Sequence, residues 1–175
     1  MRVVDFTPQH APAIGALLAG HGWEQRYITG QLTAATRLAA DPDGHVLVTL
    51  TGEQVVGFAA VQVHQWNRLA QLHGLAVHPA RLRRGIASRL VAEAERFART
   101  RGARGIKVDT PVTNQRARGF YRANGYVEDY VMTRYYADDL DGITLVKFFD
   151  QQQPDAPNRP EFGELPATDP RSHLQ

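Results

Sequence analysis

The stretch from Val77 to Ser88, V-H-P-A-R-L-R-R-G-I-A-S, constrains the fold most, because it turns a strand into a helix through a basic, glycine-containing corner. Upstream, Leu72, Leu75 and Val77 form a short β-compatible run that Pro79 closes, and downstream Ile86, Leu90, Ala94, Phe97 and Ala98 recur at helical spacing. The spacing predicts a helix that starts near Gly85 with its first N–H groups aimed at the loop. Those groups have no partner within the helix and sit at the positive end of its dipole, so an anion docks there. Gly85 and Ala87 are small enough for a ligand to approach the backbone closely, and Arg81, Arg83 and Arg84 add positive charge. The other reading of the same residues is a solvated basic turn at the head of a surface helix.

The corner lacks the second glycine followed by Lys and Ser/Thr that a Walker loop requires, and it has arginines where a dinucleotide fingerprint places its first glycines. Nucleotide hydrolysis and hydride transfer therefore lose ground. A second block, Asn114 to Tyr126, follows another strand-like segment, Gly105 to Thr110. Asn114 suits a helix N-cap, Ala117, Phe120 and Tyr121 share one helical face, and Gly125 after Asn124 signals a C-cap. Read by themselves, Phe120 and Tyr121 are also what plain core aromatics look like.

The ordered pair of blocks, V-x-P…R-G-I-A at the head of a long helix and N-x-x-A-x-x-F-Y-x-x-x-G-Y about 30 residues later, resembles the GNAT superfamily of acetyl-CoA-dependent N-acetyltransferases. The resemblance is strongest from Leu72 to Tyr126, and the order of elements is compatible with it from Met1 to about Phe149. It implies an α/β (α+β) fold with a mixed, mostly antiparallel central sheet and helices on both faces. It also implies acetyl-CoA as cosubstrate. The pyrophosphate would lie on the backbone of Arg83, Gly85, Ile86, Ala87 and Ser88, assisted by the Arg83 and Arg84 side chains. The pantetheine arm would lie along Leu75, Ala76 and Val77, and Asn114 matches the family's CoA-contacting asparagine. Tyr121 matches its general-acid tyrosine. One departure stands out: Leu82 occupies the position where the family usually carries Gln or Arg, and Arg83 the position of its first small residue.

At 175 residues, 43% hydrophobic and 22% charged, the chain suits one soluble domain over residues 1–149. From residue 150 the composition changes, and half of the ten prolines fall between Gln151 and Gln175. This reads as a flexible tail, or one that packs through Phe162 and Leu165. No apolar run is long enough for a bilayer, and Met1 to Phe6 reads as a strand rather than a secretory signal. Cysteine is absent, which excludes disulfides and a thiol nucleophile and fits a cytoplasmic protein. A net charge of +2 does not argue for a nucleic-acid surface. A homodimer is left open.

The remaining elements follow from pattern. Met1 to Phe6 is a strand, and Thr7-Pro8 starts a helix that runs to about Ala19. A second helix covers Glu24 to Leu38, with an interruption at Gly30. His45 to Leu50 and Gln54 to Val63 form a hairpin, and Leu69 to Val77 a third strand of this series. Strands are also expected near Tyr126 to Tyr135 and Ile143 to Phe149. Glu95 and Arg99 stand four apart on the long helix and read as an ion pair.

For amine acetylation, a phenol at Tyr121 with a pKa near 10 matches the acidity of a departing thiol without much tuning. A base must also take the amine's proton. His73, with an ordinary pKa near the working pH, leads the candidates, followed by Asp109, Glu24 and a water chain. Strand alternation puts His73 and Leu75 on one face. His64 and His73 have no partner at metal-ligand spacing, so no metal is expected. The segment Arg134 to Gly142 resembles the R-x-Y-Y…D-G connection of the family's peptide and protein acetyltransferases. The acceptor is a peptide or protein amine or a small-molecule amine. A non-catalytic acyl-CoA-binding module is the alternative, and a nucleic-acid surface around Arg81 to Arg122 a weaker third.

Overall fold

The computed structural model describes residues 1–137 and 139–150, so the expectations for the proline-rich segment and for Asp138 lie outside the described residues. Seven strands form one sheet in the order β1-β2-β3-β4-β5-β7-β6. They are β1 (Arg2–Asp5), β2 (Gly44–Thr51), β3 (Gln54–His64), β4 (Leu69–Val77), β5 (Gly105–Pro111), β6 (Val127–Ala137) and β7 (Leu140–Phe148). Only β4 and β5 run parallel; every other neighbouring pair is antiparallel. This is the mixed, mostly antiparallel sheet expected from the sequence.

Helices α1 (Ala11–Ala19) and α2 (Gln25–Ala40) cover one face of the sheet, and α3 (Ile86–Thr100) and α4 (Gln115–Ala123) the other. The first face buries Ile14, Leu17, Leu18, Ile28 and Leu38 against Val46, Val48 and Phe58. The second buries Ile86, Leu90, Val91, Ala94 and Ala98 against Val61, Leu72 and Ile106. Each large aliphatic side chain so buried contributes roughly 1.5–3 kcal/mol. Alternation of strand side chains lets one sheet serve both cores.

Three local expectations change in the folded chain. The first helix begins only at Ala11, after a separate 3₁₀ turn over Pro8–His10. Gly30 does not interrupt α2, because it lies on the exposed face while Ile28, Ala35 and Leu38 hold the helix to the sheet. Glu95 does not pair with Arg99. Its carboxylate accepts from Lys147 of β7 at 2.8 and 2.9 Å, and the Arg99 guanidinium lies 3.9 Å from the centre of the Phe149 ring.

The feature that places the site is in β4. Ala60 of β3 faces Gly74, but the next residue, Val61, faces Leu72, so His73 is an extra residue in a β-bulge. The parallel pairing of β4 with β5 covers only Leu69↔Gly105 to Leu72↔Val108. Beyond that pair the strands part, while β4 stays paired to β3 as far as Val77. The bulge also breaks alternation: Leu72 and Leu75, three apart, both pack on the α3 side. His73 and Leu75 therefore do not share a face as an uninterrupted strand would require.

Glycine at position 57 lets α3 approach β3. A Cβ there would stand 2.9 Å from Ile86 Cγ2, 3.1 Å from Leu90 Cδ1 and 3.2 Å from Thr49 Cβ. Gly57→Ala should lower the free energy of unfolding by about 1–3 kcal/mol through overpacking. A urea titration reads this as a lower midpoint with an unchanged slope.

Candidate active site

Two cavities open on the fork between β4 and β5. The first, of about 510 Å³, is lined by the exposed end of β4, the turn after it and the inner side of α4. The turn runs through a 3₁₀ turn at Pro79–Arg81 and then Leu82, which is extended at φ −64° and ψ 158°. Arg83 and Gly85 follow with left-handed φ of 57° and 75°. At Gly85 this conformation carries little cost; at Arg83 it is one that L side chains rarely adopt. Gly85 is the N-cap of α3 and offers no side chain to the first turn. The helix's first N–H groups are thus left to face the cavity without a capping partner.

Leu75, Ala76, Val77, Arg83, Gly85, Ile86, Ala87, Ser88, Asn114 and Tyr121 all line this first cavity. Arg84 does not. The chain reverses at the left-handed Arg83, and Arg81 and Arg83 are the turn's arginines at the cavity wall. Leu82 lines it too, and its side chain packs against the α3-side core. That contact accounts for an apolar residue here: it closes the core beneath the turn.

Because the His78 N–H donates to the Val56 carbonyl on β3, alternation turns the backbone of Val77 and Leu75 to the side that β5 has left. Sequence reasoning missed two residues at this edge. His21, in the Gly20-His21-Gly22 break, has its Nε2 2.7 Å from the Val77 carbonyl oxygen, so Nε2 carries the proton of that bond. Trp23 lines both cavities. Nothing in the sequence ties either residue to a strand some 50 residues away.

The second cavity, of about 420 Å³, lies between the start of α2, the fork and the β6–β7 connection. It is lined by the first residue of each strand beyond the β4–β5 pairing, His73 on β4 and Asp109 on β5. Gln71 Nε2 donates to Asp109 Oδ2 at 3.1 Å, and the Thr144 hydroxyl donates to Asp109 Oδ1. Among the described residues no Lys or Arg forms an ion pair with this carboxylate. Gln31 of α2 donates from Nε2 to the His73 carbonyl at 3.0 Å, supplying the partner that a bulged residue loses. A Cβ on Gly74 would stand 2.6 Å from Gln31 Oε1, so glycine leaves the room that this amide fills.

Burial lowers the His73 pKa to about 4, with His64 and Arg37 adding to the effect and Asp109 opposing it. Its Nε2 is buried without a hydrogen-bond partner. Glu24, the third candidate base, sits at the cavity rim in an exposed 3.0 Å ion pair with Arg26. Between Met132 and Ala137 the β6–β7 ladder is interrupted, and the arch so formed is held where the Arg134 N–H donates to Asp141 Oδ1 at 2.7 Å. The Tyr27 hydroxyl donates to the Tyr136 carbonyl at 2.7 Å and stitches this arch to α2.

Tyr121 lines both cavities and is 5% exposed. Burial, with a smaller contribution from Tyr136, raises its pKa well above that of a free phenol. The sequence expectation of an untuned acidity match is therefore corrected. A thiolate formed beside it would meet the same desolvation, which raises a thiol pKa as well, so the two shift in the same direction.

Residues 18–126 match the model of the acetyltransferase (GNAT) family. The chain belongs to that family. Over 110 residues it is 30% identical to an aminoglycoside N(6')-acetyltransferase type 1 of Klebsiella aerogenes, covering 58% of this chain and 66% of that protein. Over 94 residues it is 30% identical to an aminoalkylphosphonate N-acetyltransferase of Salmonella typhimurium, covering 51% of this chain and 61% of that protein. The GNAT chain thus spans less than two thirds of the length of these relatives. The crystal structure of an aminoglycoside 6'-N-acetyltransferase complexed with coenzyme A shares the fold at a TM-score of 0.71 and 19% identity, covering 89% of this chain and all of that one.

The depressed pKa of His73 makes a stability prediction with a definite sign. The unfolded imidazole takes up its proton near pH 6.5 and the folded one only near 4. The unfolded state binds more protons in that window, so stability falls as the pH drops through it, by up to about 3 kcal/mol. Guanidinium titrations at pH 7 and pH 4.5 should show a smaller acid-side loss in His73→Gln than in the parent chain. An equal loss in both would refute the assignment.

Proposed function

We propose that this protein is an acetyl-CoA-dependent N-acetyltransferase in which the first cavity holds the cosubstrate and the second the acceptor amine. The observation that carries the reading is that the two cavities meet at Tyr121, where β4 and β5 part. The uncapped start of α3 and the Arg81 and Arg83 guanidinium groups fit a pyrophosphate. The edge of β4 at Leu75 and at the N–H of Val77, whose carbonyl His21 already occupies, fits the amides of an extended pantetheine arm, in the manner of an added strand. That a protein of the same fold is complexed with coenzyme A supports coenzyme A as the ligand.

Asp109 attracts the acceptor's ammonium group, and the neutral fraction of that amine is the reactive one. Its nitrogen lone pair forms the new C–N bond at the thioester carbonyl carbon, and the C–S bond breaks with its electron pair going to sulfur. The nitrogen becomes acidic as it bonds to carbon, and Asp109 accepts the proton that it loses. Tyr121 gives its hydroxyl proton to the thiolate and is reprotonated from solvent. Asp109 suits the base role better than His73, whose buried Nε2 and lowered pKa make it a poor seat for a proton. The acceptors named for the two curated relatives, an aminoglycoside and an aminoalkylphosphonate, are both small amines. The Tyr135-Tyr136 arch that resembles the peptide acetyltransferases keeps a peptide amine on the same panel.

Acetyl-CoA should raise the melting temperature, and an amine panel that includes peptide N-termini, lysine peptides, polyamines and aminoglycosides should release free thiol. Tyr121→Phe should lower kcat by at least about tenfold with little change in KM for acetyl-CoA. No thermal shift at millimolar acetyl-CoA would refute the proposal. Binding without thiol release from any amine would point instead to a non-catalytic acyl-CoA-binding module.

A further inference from the structure

Tyr121 is the only fully buried residue of α4, a nine-residue helix whose Ala117 and Phe120 pack against the core and whose Arg118 donates to both carboxylate oxygens of Glu128 and to the Val112 carbonyl. Its N-terminal end is held by Asn114, whose Oδ1 accepts from the Ala117 N–H at 3.1 Å. The C-terminal end is held from outside. Lys147 Nζ on β7 donates to the carbonyl of Asn124, the C-cap residue, at 3.0 Å, and to both carboxylate oxygens of Glu95 on α3 at 2.8 and 2.9 Å. An ammonium group has three hydrogens, and all three are used.

The surroundings enforce this arrangement. The Glu95 side chain is only 12% exposed and that of Lys147 27%. Gly125, left-handed at φ 86°, lets the chain turn off the helix, and a Cβ there would touch Lys147 Cε at 3.5 Å. After that turn the Tyr126 N–H donates to the Tyr121 carbonyl at 3.0 Å, and the two rings lie 5.4 Å apart. The ammonium is 5.7 Å from the centre of the Tyr126 ring. A cation at this end of α4 also complements the helix dipole. One ammonium thus joins α3, α4 and β7 within one helical turn of Tyr121.

We propose that Lys147, paired with Glu95, is a positioning residue for Tyr121: through the Asn124 carbonyl it sets the pose of the phenol at the junction of the two cavities. The proposal rests on the reading of Tyr121 as the proton donor, but it also concerns where the ring lies, which is measurable without turnover. Removing Lys147 alone leaves Glu95 as an unpaired buried carboxylate and risks unfolding. The decisive variant is therefore the double replacement Glu95→Leu with Lys147→Met, which fills the same space with apolar atoms and keeps the core while deleting the bond to Asn124.

In that double variant, kcat should fall about tenfold with KM for acetyl-CoA unchanged, and adding Tyr121→Phe should cost less than it does in the parent chain. Lys147→Arg should restore only part of the rate, because a planar guanidinium cannot repeat the three-way geometry of an ammonium. The independent readout is the ring ¹³C resonance of Tyr121 in the CoA-bound protein, assigned by its loss in Tyr121→Phe. It should shift or broaden in the double variant. An unchanged Tyr121 resonance overturns the proposal whatever the activity, whereas a fully active Tyr121→Phe overturns the proton-donor reading and leaves the resonance to decide the positioning.

Discussion

The site depends on the early end of one parallel strand pair. β4 and β5 hold together for four residue pairs, to Leu72 and Val108, and then separate. A parted ladder leaves backbone donors and acceptors that water or a ligand must satisfy. The bulge at His73 is one cause of the parting, since it shifts β4 against β3 and turns the strand away from its parallel neighbour. Gln31 then stabilises the bulge by donating to the His73 carbonyl, and Gly74 makes room for that amide.

Parting the strands also separates two kinds of electrostatics. On the α3 side the wall carries helix N–H groups and the arginines of the turn, and it suits an anion. On the α2 side it carries Asp109, held by two uncharged donors and, among the described residues, by no Lys or Arg ion pair, and it suits an ammonium. Tyr121 lies where the two meet. A half-buried carboxylate without a counter-charge is costly to keep ionised unless hydrogen bonds support it, which is the part played by Gln71 and Thr144. The neighbouring His73 is kept neutral near pH 7 by its burial, so it neither cancels that charge nor repels an incoming cation.

The succession of strands along the chain and the turn that starts α3 were legible because they rest on local chemistry. β4 at Leu69–Val77 follows from its apolar pattern, and the start of α3 after Gly85 follows from a residue that tolerates φ 75°. Asn114 announced its cap, and the geometry bears it out. What was not legible depends on partners distant in sequence. The bulge answers to Gln31, 42 residues upstream of His73. His21 meets the Val77 carbonyl across 56 residues, and Glu95 exchanges the expected i, i+4 partner for Lys147 across 52. An i, i+4 pair on an exposed helix is worth only a few tenths of a kcal/mol. A partner that also satisfies a helix carbonyl in a half-buried place outcompetes it.

Leu82 shows how one substitution divides binding from packing. In a turn that holds an anion through backbone N–H groups, the side chains are free to do other work, provided the backbone keeps its shape. Here that shape comes from Gly85, from the left-handed Arg83, and from Leu82 itself, whose side chain anchors the loop to the core below. A long polar side chain at position 82 would add one contact to the anion and remove that anchor. The chain therefore relies on a well-fixed backbone where a polar residue would rely on reach. The same division recurs at α4, where Tyr121 lies at the junction of the two cavities while the Asn114 side chain accepts from Ala117 at one end and the Asn124 carbonyl accepts from Lys147 at the other.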